Sequence, residues 1–483
     1  MNSSRRRGQR ALAATAVAVL LGGLAAPAFA DDRSEPHVPG ADAPTSTASE
    51  PRPGASTPVL TQVDGAGTVV APSARSGDVA ARAASVPQAP AEALVTSVTS
   101  TEAFFEWTAP ADGGSAITGY IVRLSIRGQV ILEGEWPSTA LRIYDLDPET
   151  EYEFSVAAVN ALGTGAFSQP TTFATPYDFV ERQFGPDRYA TSARVSYRAF
   201  PYSGIEAAFV ANGVKFPDAL AAAAAAGAMG GPVLLTRPTV MSDPIAGELE
   251  ALAPNYSVIS GGPASVSVAV EARAGSYASS GAVRLAGADR YATAAAVSTI
   301  WDSVDTVYLA SGENFPDALA GAAAAGSAES PVLLTKKGIL PPATAQALAR
   351  LKPSRIVVLG GIGSGTEATA KAAKAATTVP TTLERWSGDT RFTTAVDVSR
   401  RAFPTPGVPV VYIANGMTFA DALSGAAAAG SRGGPVLLTR QNALSPEAVN
   451  ELTRLQPERV VVLGGPAIVS DHVIQQIEAA TGH

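Results

Sequence analysis

The sequence contains no cysteine and very little histidine. The absence of cysteine excludes disulfide bonds, thiol catalysis and cysteine-ligated metals. The three histidines, His37, His472 and His483, lie far apart along the 483 residues. Their scatter does not predict a histidine metal site or an acid–base pair. We therefore expect no metal, no cofactor and no catalytic residue of these kinds.

Charged residues are also scarce, and acidic ones outnumber basic ones. Asp, Glu, Lys and Arg make up 16% of the chain, and the formal net charge is −8. A protein that binds nucleic acid needs a basic surface to neutralise phosphates, so we expect no nucleic-acid partner. Hydrophobic residues make up 46%, which is enough for several buried cores in a chain of this length.

The first 30 residues have the composition of an export signal. A head with four arginines precedes and borders an apolar run from Ala11 to about Leu24, and Ala28-Phe29-Ala30 is a small-x-small cleavage site. The run is short for a membrane anchor, which needs about 20 apolar residues. We predict a signal peptide over 1–30 and a secreted chain with no membrane span after cleavage. Residues 31–87, rich in Pro, Ala and Ser, are predicted to be a disordered linker.

Residues 88–175 have the pattern of a small all-β domain. Runs such as EYEFSVAAVN (151–160) alternate apolar and polar residues, as half-buried strands do. With Trp107, Tyr120 and Tyr152 at their positions, the segment resembles a fibronectin type III domain. The resemblance implies a β-sandwich in which Tyr152 forms a tyrosine corner. Such a domain would serve as a spacer or as an interaction module for a protein or glycan partner.

The rest of the chain repeats itself three times, at intervals of roughly 100 residues. The segment FPDALAAAAAAG (216–227) recurs as FPDALAGAAAAG (315–326) and as FADALSGAAAAG (419–430). Each copy also contains a PVLLT run and a later pair of glycines after a β-branched run. We predict three repeats with the boundaries 181–281, 282–381 and 382–483.

Each repeat predicts alternating strands and helices. Continuous apolar runs such as VYLAS (307–311) and PVLLT (331–335) are typical of parallel strands covered by helices on both faces. The alanine-rich segments predict helices, because alanine is the best helix former and its small side chain permits close packing. Pro316 and Asp317 suit the first turn of such a helix. The expected fold is therefore multidomain, with the all-β sandwich followed by three α/β repeats of flavodoxin-like or Rossmann-like type.

A binding site is expected where the strands end, because ligands of open parallel sheets bind at the carboxyl edge. Helix N-termini and glycine turns at this edge favour anions. Basic residues that lie there are the candidate polymer-binding residues: Arg188, Arg290, Arg391, Lys215, Arg237, Lys336 and Arg440. Helix-opening aspartates lie in register in the three copies: Asp218, Asp317 and Asp421. An alternative, purely structural role is that these aspartates pair with the in-register arginines and brace two loops.

Four motifs of the second copy carry a family resemblance: GADRYATA (287–294), NFPDALA (314–320), SPVLLT (330–335) and VVLGG (357–361). They resemble the cell-wall-binding repeat type 2 of Gram-positive surface proteins. The resemblance implies three modules with pseudo-threefold symmetry that anchor the chain non-covalently at the cell surface. The implied partner is an anionic wall polymer, either teichoic-acid-like or a phosphate-bearing polysaccharide. The third copy departs from the pattern at Phe392 and Ala420.

Two other functions stay open at this point. A wall hydrolase, either an N-acetylmuramoyl-L-alanine amidase or a glycosidase, needs carboxylates whose separation is set only by the fold. Three near-equal copies nevertheless favour binding to a repetitive polymer over catalysis, because linked weak sites gain affinity through effective concentration. An adhesin would instead use the domain over 88–175 to bind its partner.

Overall fold

The structure, a computed structural model, describes residues 59–61, 84–144 and 146–483. These residues fall into two compact units, one ending at Asp178 and one extending from Phe179 to His483. The predicted signal peptide and nearly all of the predicted linker lie outside the described residues. Within the described part of the chain, no helix is both long enough and apolar enough to cross a bilayer.

The first unit is a sandwich of two antiparallel sheets. One sheet has the strand order β1-β6-β3-β2, and the other has the order β5-β4-β7-β8 with β9 also paired to β7. The strands are β1 (Val59–Thr61), β2 (Leu94–Val98), β3 (Ala103–Glu106), β4 (Ile117–Ile126), β5 (Gln129–Trp136), β6 (Ala140–Tyr144), β7 (Glu151–Asn160), β8 (Gly163–Thr164) and β9 (Thr171–Ala174).

Aromatic side chains fill the space between these two sheets. Phe105 stacks on Phe154 with ring centroids 4.0 Å apart, and both rings are fully buried. The Tyr152 hydroxyl accepts a hydrogen bond of 2.8 Å from the backbone N–H of Asp147. This bond ties the start of β7 to the turn before it, as a tyrosine corner does. The predicted all-β sandwich is confirmed.

The second unit consists of three parallel sheets and the helices between their strands. Its strands are β10 (Val180–Gln183), β11 (Ala207–Asn212), β12 (Val233–Thr236), β13 (Tyr256–Ser260), β14 (Ala282–Leu285), β15 (Thr306–Ser311), β16 (Val332–Thr335), β17 (Arg355–Leu359), β18 (Thr382–Trp386), β19 (Val411–Asn415), β20 (Val436–Thr439) and β21 (Val460–Leu463). The sheet orders are β12-β11-β13-β14, β16-β15-β17-β18 and β20-β19-β21-β10. All pairings are parallel. We call these sheets, with their helices, modules 1, 2 and 3.

Helices alternate with these strands along the chain, which confirms the predicted α/β architecture. The α-helices are α1 (Arg188–Ala199), α2 (Pro217–Met229), α3 (Asp243–Leu252), α4 (Val268–Gly275), α5 (Arg290–Val297), α6 (Pro316–Ser327), α7 (Pro342–Leu351), α8 (Glu367–Ala375), α9 (Arg391–Ala402), α10 (Ala420–Arg432), α11 (Pro446–Leu455) and α12 (Asp471–Thr481). A single 3₁₀ turn, Ser298–Ile300, follows α5.

Each sheet is completed by a strand that belongs to another sequence repeat. Strands β14 and β18 open the second and third repeats, yet they pair with β13 and β17 of the preceding repeats. Strand β10 opens the first repeat and pairs with β21 near the chain end, with Val180 opposite Val460. Every repeat therefore supplies strands to two modules, and the three modules are linked in a closed circle.

The alanine-rich helices α2, α6 and α10 pack against one another between the modules. Nearly all of their residues are buried, and short alanine side chains let the backbones approach. Near their C-terminal ends three glycines meet: a Cβ added to Gly326 would lie 3.2 Å from the Cα of Gly227 and 3.4 Å from that of Gly430. Side chains larger than hydrogen would force the helices apart.

At the N-terminal ends of the same helices three phenylalanine rings form a cluster. The ring centroids of Phe216, Phe315 and Phe419 are 5.7, 5.8 and 5.9 Å apart. Because the glycines meet at one end and the rings at the other, the three helices run parallel. Their N-termini, and with them the carboxyl ends of β11, β15 and β19, lie at the same end of the unit.

Candidate functional site

At this end each module has a cleft built from two sequence repeats. One wall is the loop after β11, β15 or β19, and the floor is the glycine turn after β13, β17 or β21. The other wall is the start of the next sequence repeat. The lining of cleft 2 falls almost entirely in 312–317, 360–364 and 388–394. The equivalent segments of the other copies are 213–218, 261–265 and 287–293, which we call cleft 1, and 416–421, 464–468 and 185–191, which we call cleft 3. Cleft 2 encloses a cavity of about 580 Å³ whose lining includes Phe315, Asp317, Ser364 and Arg391.

The three motif arginines occupy equivalent positions, each as the first residue of a helix. Each donates a hydrogen bond from Nη1 to the carbonyl of the glycine that immediately follows β11, β15 or β19 in its own repeat. The bonds are Arg188 to Gly213 at 2.7 Å, Arg290 to Gly312 at 2.6 Å and Arg391 to Gly416 at 2.7 Å. In the described part of the chain no ion pair within 4.0 Å involves these arginines. Since a guanidinium has five N–H donors, four remain for a ligand.

Two of these guanidinium groups also lie over rings of the phenylalanine cluster. Arg188 is 5.6 Å from the centroid of Phe419, and Arg391 is 6.0 Å from that of Phe315. Each of these arginines thus reaches the phenylalanine of the preceding module. Cation–π attraction and the bond to the glycine carbonyl hold the charged group in place without neutralising it.

The in-register aspartates are the second residues of α2, α6 and α10 and face the glycine turn of their own module. Ser265 donates to Asp218 at 2.8 Å, and Ser364 donates to Asp317 at 2.7 Å. The third copy has Ile468 at the serine position, so Asp421 lacks this bond. A side chain at the turn glycine would collide with the aspartate carboxylate, which explains the glycine in each copy.

Burial and the neighbouring cations act in opposite directions on the pKa values of two of these carboxyl groups, Asp218 and Asp421. Burial raises the pKa of Asp218 above its usual value, and the Ser265 hydrogen bond, Arg290 and Lys215 partly offset the rise. Burial also raises the pKa of Asp421, and Arg188 opposes it. Asp218 and Asp421 therefore each respond to the arginine that enters their cleft from another repeat. The arginines brace their own loops through backbone carbonyls rather than through these aspartates.

The remaining candidate cations lie along the cleft rims. Three of them directly follow β12, β16 and β20. Each lies over the aromatic residue next to the motif arginine: Arg237 over Tyr189 at 5.1 Å, Lys336 over Tyr291 at 5.5 Å and Arg440 over Phe392 at 5.0 Å. Phe392, a departure from the pattern, thus keeps the tyrosine's role as a platform for a cation. Lys215 is exposed on the loop that walls cleft 1.

Sequence analysis did not identify the apolar residues exposed at this end. Of the large exposed hydrophobic residues in the second unit, seven of eight lie in segments that follow the carboxyl end of a strand, and Tyr202 is the exception. The seven are Phe184, Val214, Val240, Val268, Ile339, Ile362 and Met417. Clustered exposure on one face is typical of a binding surface. Apolar residues directly after the end of a buried strand are the sequence signal that could have indicated it.

The clefts offer guanidinium and ammonium groups, hydroxyls and aromatic rings, which together suit an anionic, hydroxylated ligand. Among the described residues, no group of three or more His, Asp or Glu side chains is placed to hold a metal ion. The lining of cleft 2 does contain carboxylates, and one of these, Asp317, already accepts a hydrogen bond from Ser364.

Comparison with known proteins places this unit in a family. Residues 182–271, 284–370 and 385–474 match the Cell wall binding domain 2 (CWB2) family, and residues 88–174 match the fibronectin type III domain. N-acetylmuramoyl-L-alanine amidase LytC of Bacillus subtilis (strain 168) is 26% identical over 309 residues, covering 64% of this chain and 60% of the relative. The Amidase enhancer of the same strain is 27% identical over 276 residues, covering 57% of this chain and 36% of the relative. The chain thus spans less than two thirds of either curated relative.

A solved structure shows the same fold. Cwp6 from Clostridium difficile matches with a TM-score of 0.58 at 20% identity, covering 80% of this chain and 66% of that chain. The three matching segments make up more than half of the sequence printed above. The chain therefore belongs to the Cell wall binding domain 2 (CWB2) family.

Proposed function

We propose that the chain anchors itself non-covalently to the Gram-positive cell wall by binding an anionic secondary wall polymer in clefts 1–3. The observation that carries this proposal is the equivalent placement of Arg188, Arg290 and Arg391 at one end of the unit. Each is held by a glycine carbonyl, and each keeps four N–H donors unused. A guanidinium group matches the geometry of a phosphate or carboxylate, so a teichoic-acid-like polymer or a phosphate-bearing polysaccharide fits these clefts.

Three clefts at one end of a unit suit a polymer better than a small molecule. A polymer repeats its anionic group along the chain, so one bound segment holds the next at a high effective concentration near another cleft. Weak binding at each cleft therefore gives strong retention on the wall. The apolar residues exposed at the same end, Val214 and Met417 among them, would cover the less polar faces of sugar rings.

The other parts of the chain complete this proposal. The signal peptide over 1–30 would export the chain, which places it at the cell surface. The fibronectin type III domain would hold a partner site away from the wall or bind a protein or glycan itself. Neither role needs a catalytic group, and the proposal is that the chain is a binder and not a wall hydrolase.

The test measures retention and cleavage in the same tube. Full-length chain is mixed with purified Gram-positive walls, the walls are sedimented, and the bound fraction is measured together with released reducing ends and free amino groups. We expect most of the chain in the pellet and no release above that of walls alone. A matched chain lacking 88–175 should sediment equally well. Release of either product would favour the hydrolase, and loss of retention on deletion of 88–175 would favour the adhesin.

A further inference from the structure

The three clefts share a fold but differ in the charged residues that line them. Position by position, Lys215 of cleft 1 corresponds to Asn314 of cleft 2 and Thr418 of cleft 3. The residue before it is Val214, Glu313 or Met417. One wall of the cleft is thus basic in the first copy, acidic in the second and uncharged in the third.

The opposite wall strengthens the contrast for cleft 2. There Asp389 lines the cavity, whereas the corresponding residues of the other copies are Ala288 and Pro186. With Glu313 and Asp317, three carboxylates line the same cavity as Arg391. This excess of negative charge weakens the attraction that Arg391 exerts on a phosphate or carboxylate.

Cleft 1 has the opposite balance. Lys215 lies on the loop wall of this cleft and Arg290 on the facing helix, and both offset the rise in the pKa of Asp218 that burial causes. Asp289 is the N-cap of α5, and its carboxylate accepts hydrogen bonds from the backbone N–H groups of Tyr291 and Ala292. Because Arg290 keeps four donors and Lys215 is exposed, this cleft presents two cations to a ligand.

The hydroxyl groups in the clefts also differ. Cleft 1 keeps Ser265 on its glycine turn, which donates a hydrogen bond to Asp218, and Thr293 on its helix. Cleft 3 has Ile468 at the serine position and a single motif arginine, Arg188. Cleft 1 alone therefore combines a cation on its loop wall, Lys215, with its motif arginine and both hydroxyl groups.

We propose that cleft 1 is the principal subsite for the anionic group of the wall polymer, and that Lys215 and Arg290 determine this preference. The inference rests on the proposed function and refines it: the polymer is held unevenly, tightly in cleft 1 and weakly in the acidic cleft 2. The loop is shaped for this role, since Asn212 accepts hydrogen bonds from the backbone N–H groups of Val214 and Lys215 at 2.7 and 3.1 Å. The lysine thus projects from a fixed loop.

The test exchanges the residues that distinguish the two clefts, in the full-length chain. Lys215→Asn gives cleft 1 the residue of cleft 2, and Asn314→Lys does the reverse. Lys371→Asn, at an exposed position on α8 away from the clefts, is the charge-matched control. Binding isotherms on unextracted Gram-positive walls give the affinity, and thermal melting checks the fold of each variant.

We expect Lys215→Asn to weaken binding about fivefold, as loss of one charge at the rim of a binding site does, and Asn314→Lys to strengthen it. Lys371→Asn should bind like the unaltered chain. If Lys215→Asn and Lys371→Asn have equal effects, or if Asn314→Lys has none, the inference is overturned while the anchoring function stands. If the unaltered chain fails to sediment with walls, both the function and the inference are wrong.

Discussion

At the scale of single residues, the smallest side chains decide how closely the three modules approach. Gly227, Gly326 and Gly430 bring helix backbones into direct contact, and the alanines around them leave no bulk between the helices. This contact aligns the N-termini of α2, α6 and α10, where the phenylalanine cluster and the motif arginines lie. The position of a charged group in a cleft thus depends on glycines at the far ends of the helices.

Replacing Gly326 with leucine tests this dependence. The new side chain has no space, because its Cβ would already lie 3.2 Å from Gly227, and overpacking of this kind costs about 1–3 kcal/mol. We expect the melting midpoint of the repeat unit, measured by calorimetry, to fall by about 5 °C. Gly338→Leu is the matched control, since no atom lies within 4 Å of a Cβ placed there. Equal melting of the two variants would show that the glycine contact is not required.

Single residues also show what the sequence can and cannot predict. The register of the repeats identified Arg188, Arg290 and Arg391, and the fibronectin-like pattern identified Tyr152, because these signals are local or repeated. The partners of the arginines were not predictable, since a glycine carbonyl 22 or 25 residues away has no side-chain signature. The contact between Phe216, Phe315 and Phe419 forms only because three helices from different repeats pack together. The sequence of one repeat does not predict that packing.

At the scale of elements, the strand that completes each sheet decides how the modules connect. Alternating strands and helices were predicted from apolar runs and alanine-rich segments, and the structure confirms them. The pairing of β10 with β21 joins residues about 280 positions apart and was not predicted. The sequence of a four-residue strand such as VERQ contains no signal for the strand with which it pairs. Arg182 holds this pairing by donating to the carbonyls of Gly464 and Val469 at 2.9 and 2.6 Å.

The Arg182→Ala variant tests whether β10 is needed for module 3. Besides the two carbonyls, Arg182 contacts Asp471 at 2.8 Å, so the substitution leaves several polar groups without a donor. We expect a loss of about 2 kcal/mol in the free energy of unfolding, measured by urea denaturation. Arg401→Ala, which removes an exposed pair with Asp397 at 3.0 Å within α9, should cost no more than about 0.5 kcal/mol. If both variants lose equally little, strand β10 does not stabilise the module.

At the scale of the whole molecule, the closed circle of modules has a functional consequence. Three parallel sheets joined through parallel central helices present all their carboxyl edges at one end, and clefts 1–3 open there. A chain of separate domains would present such clefts in unrelated directions. The family resemblance predicted three modules with pseudo-threefold symmetry. The difference in charge between cleft 1 and cleft 2 could be identified only from the structure, which places Lys215 in one cleft and Glu313 and Asp389 in the other.

The most direct test of the account removes the proposed ligand and leaves the rest of the wall. Full-length chain is sedimented with Gram-positive walls before and after acid extraction of their anionic polymers, at low and at high salt. The account predicts that retention on intact walls weakens as salt rises, because exposed charges attract the polymer, and that it is lost after extraction. Equal retention on extracted walls would contradict the account, since the chain would then bind peptidoglycan itself.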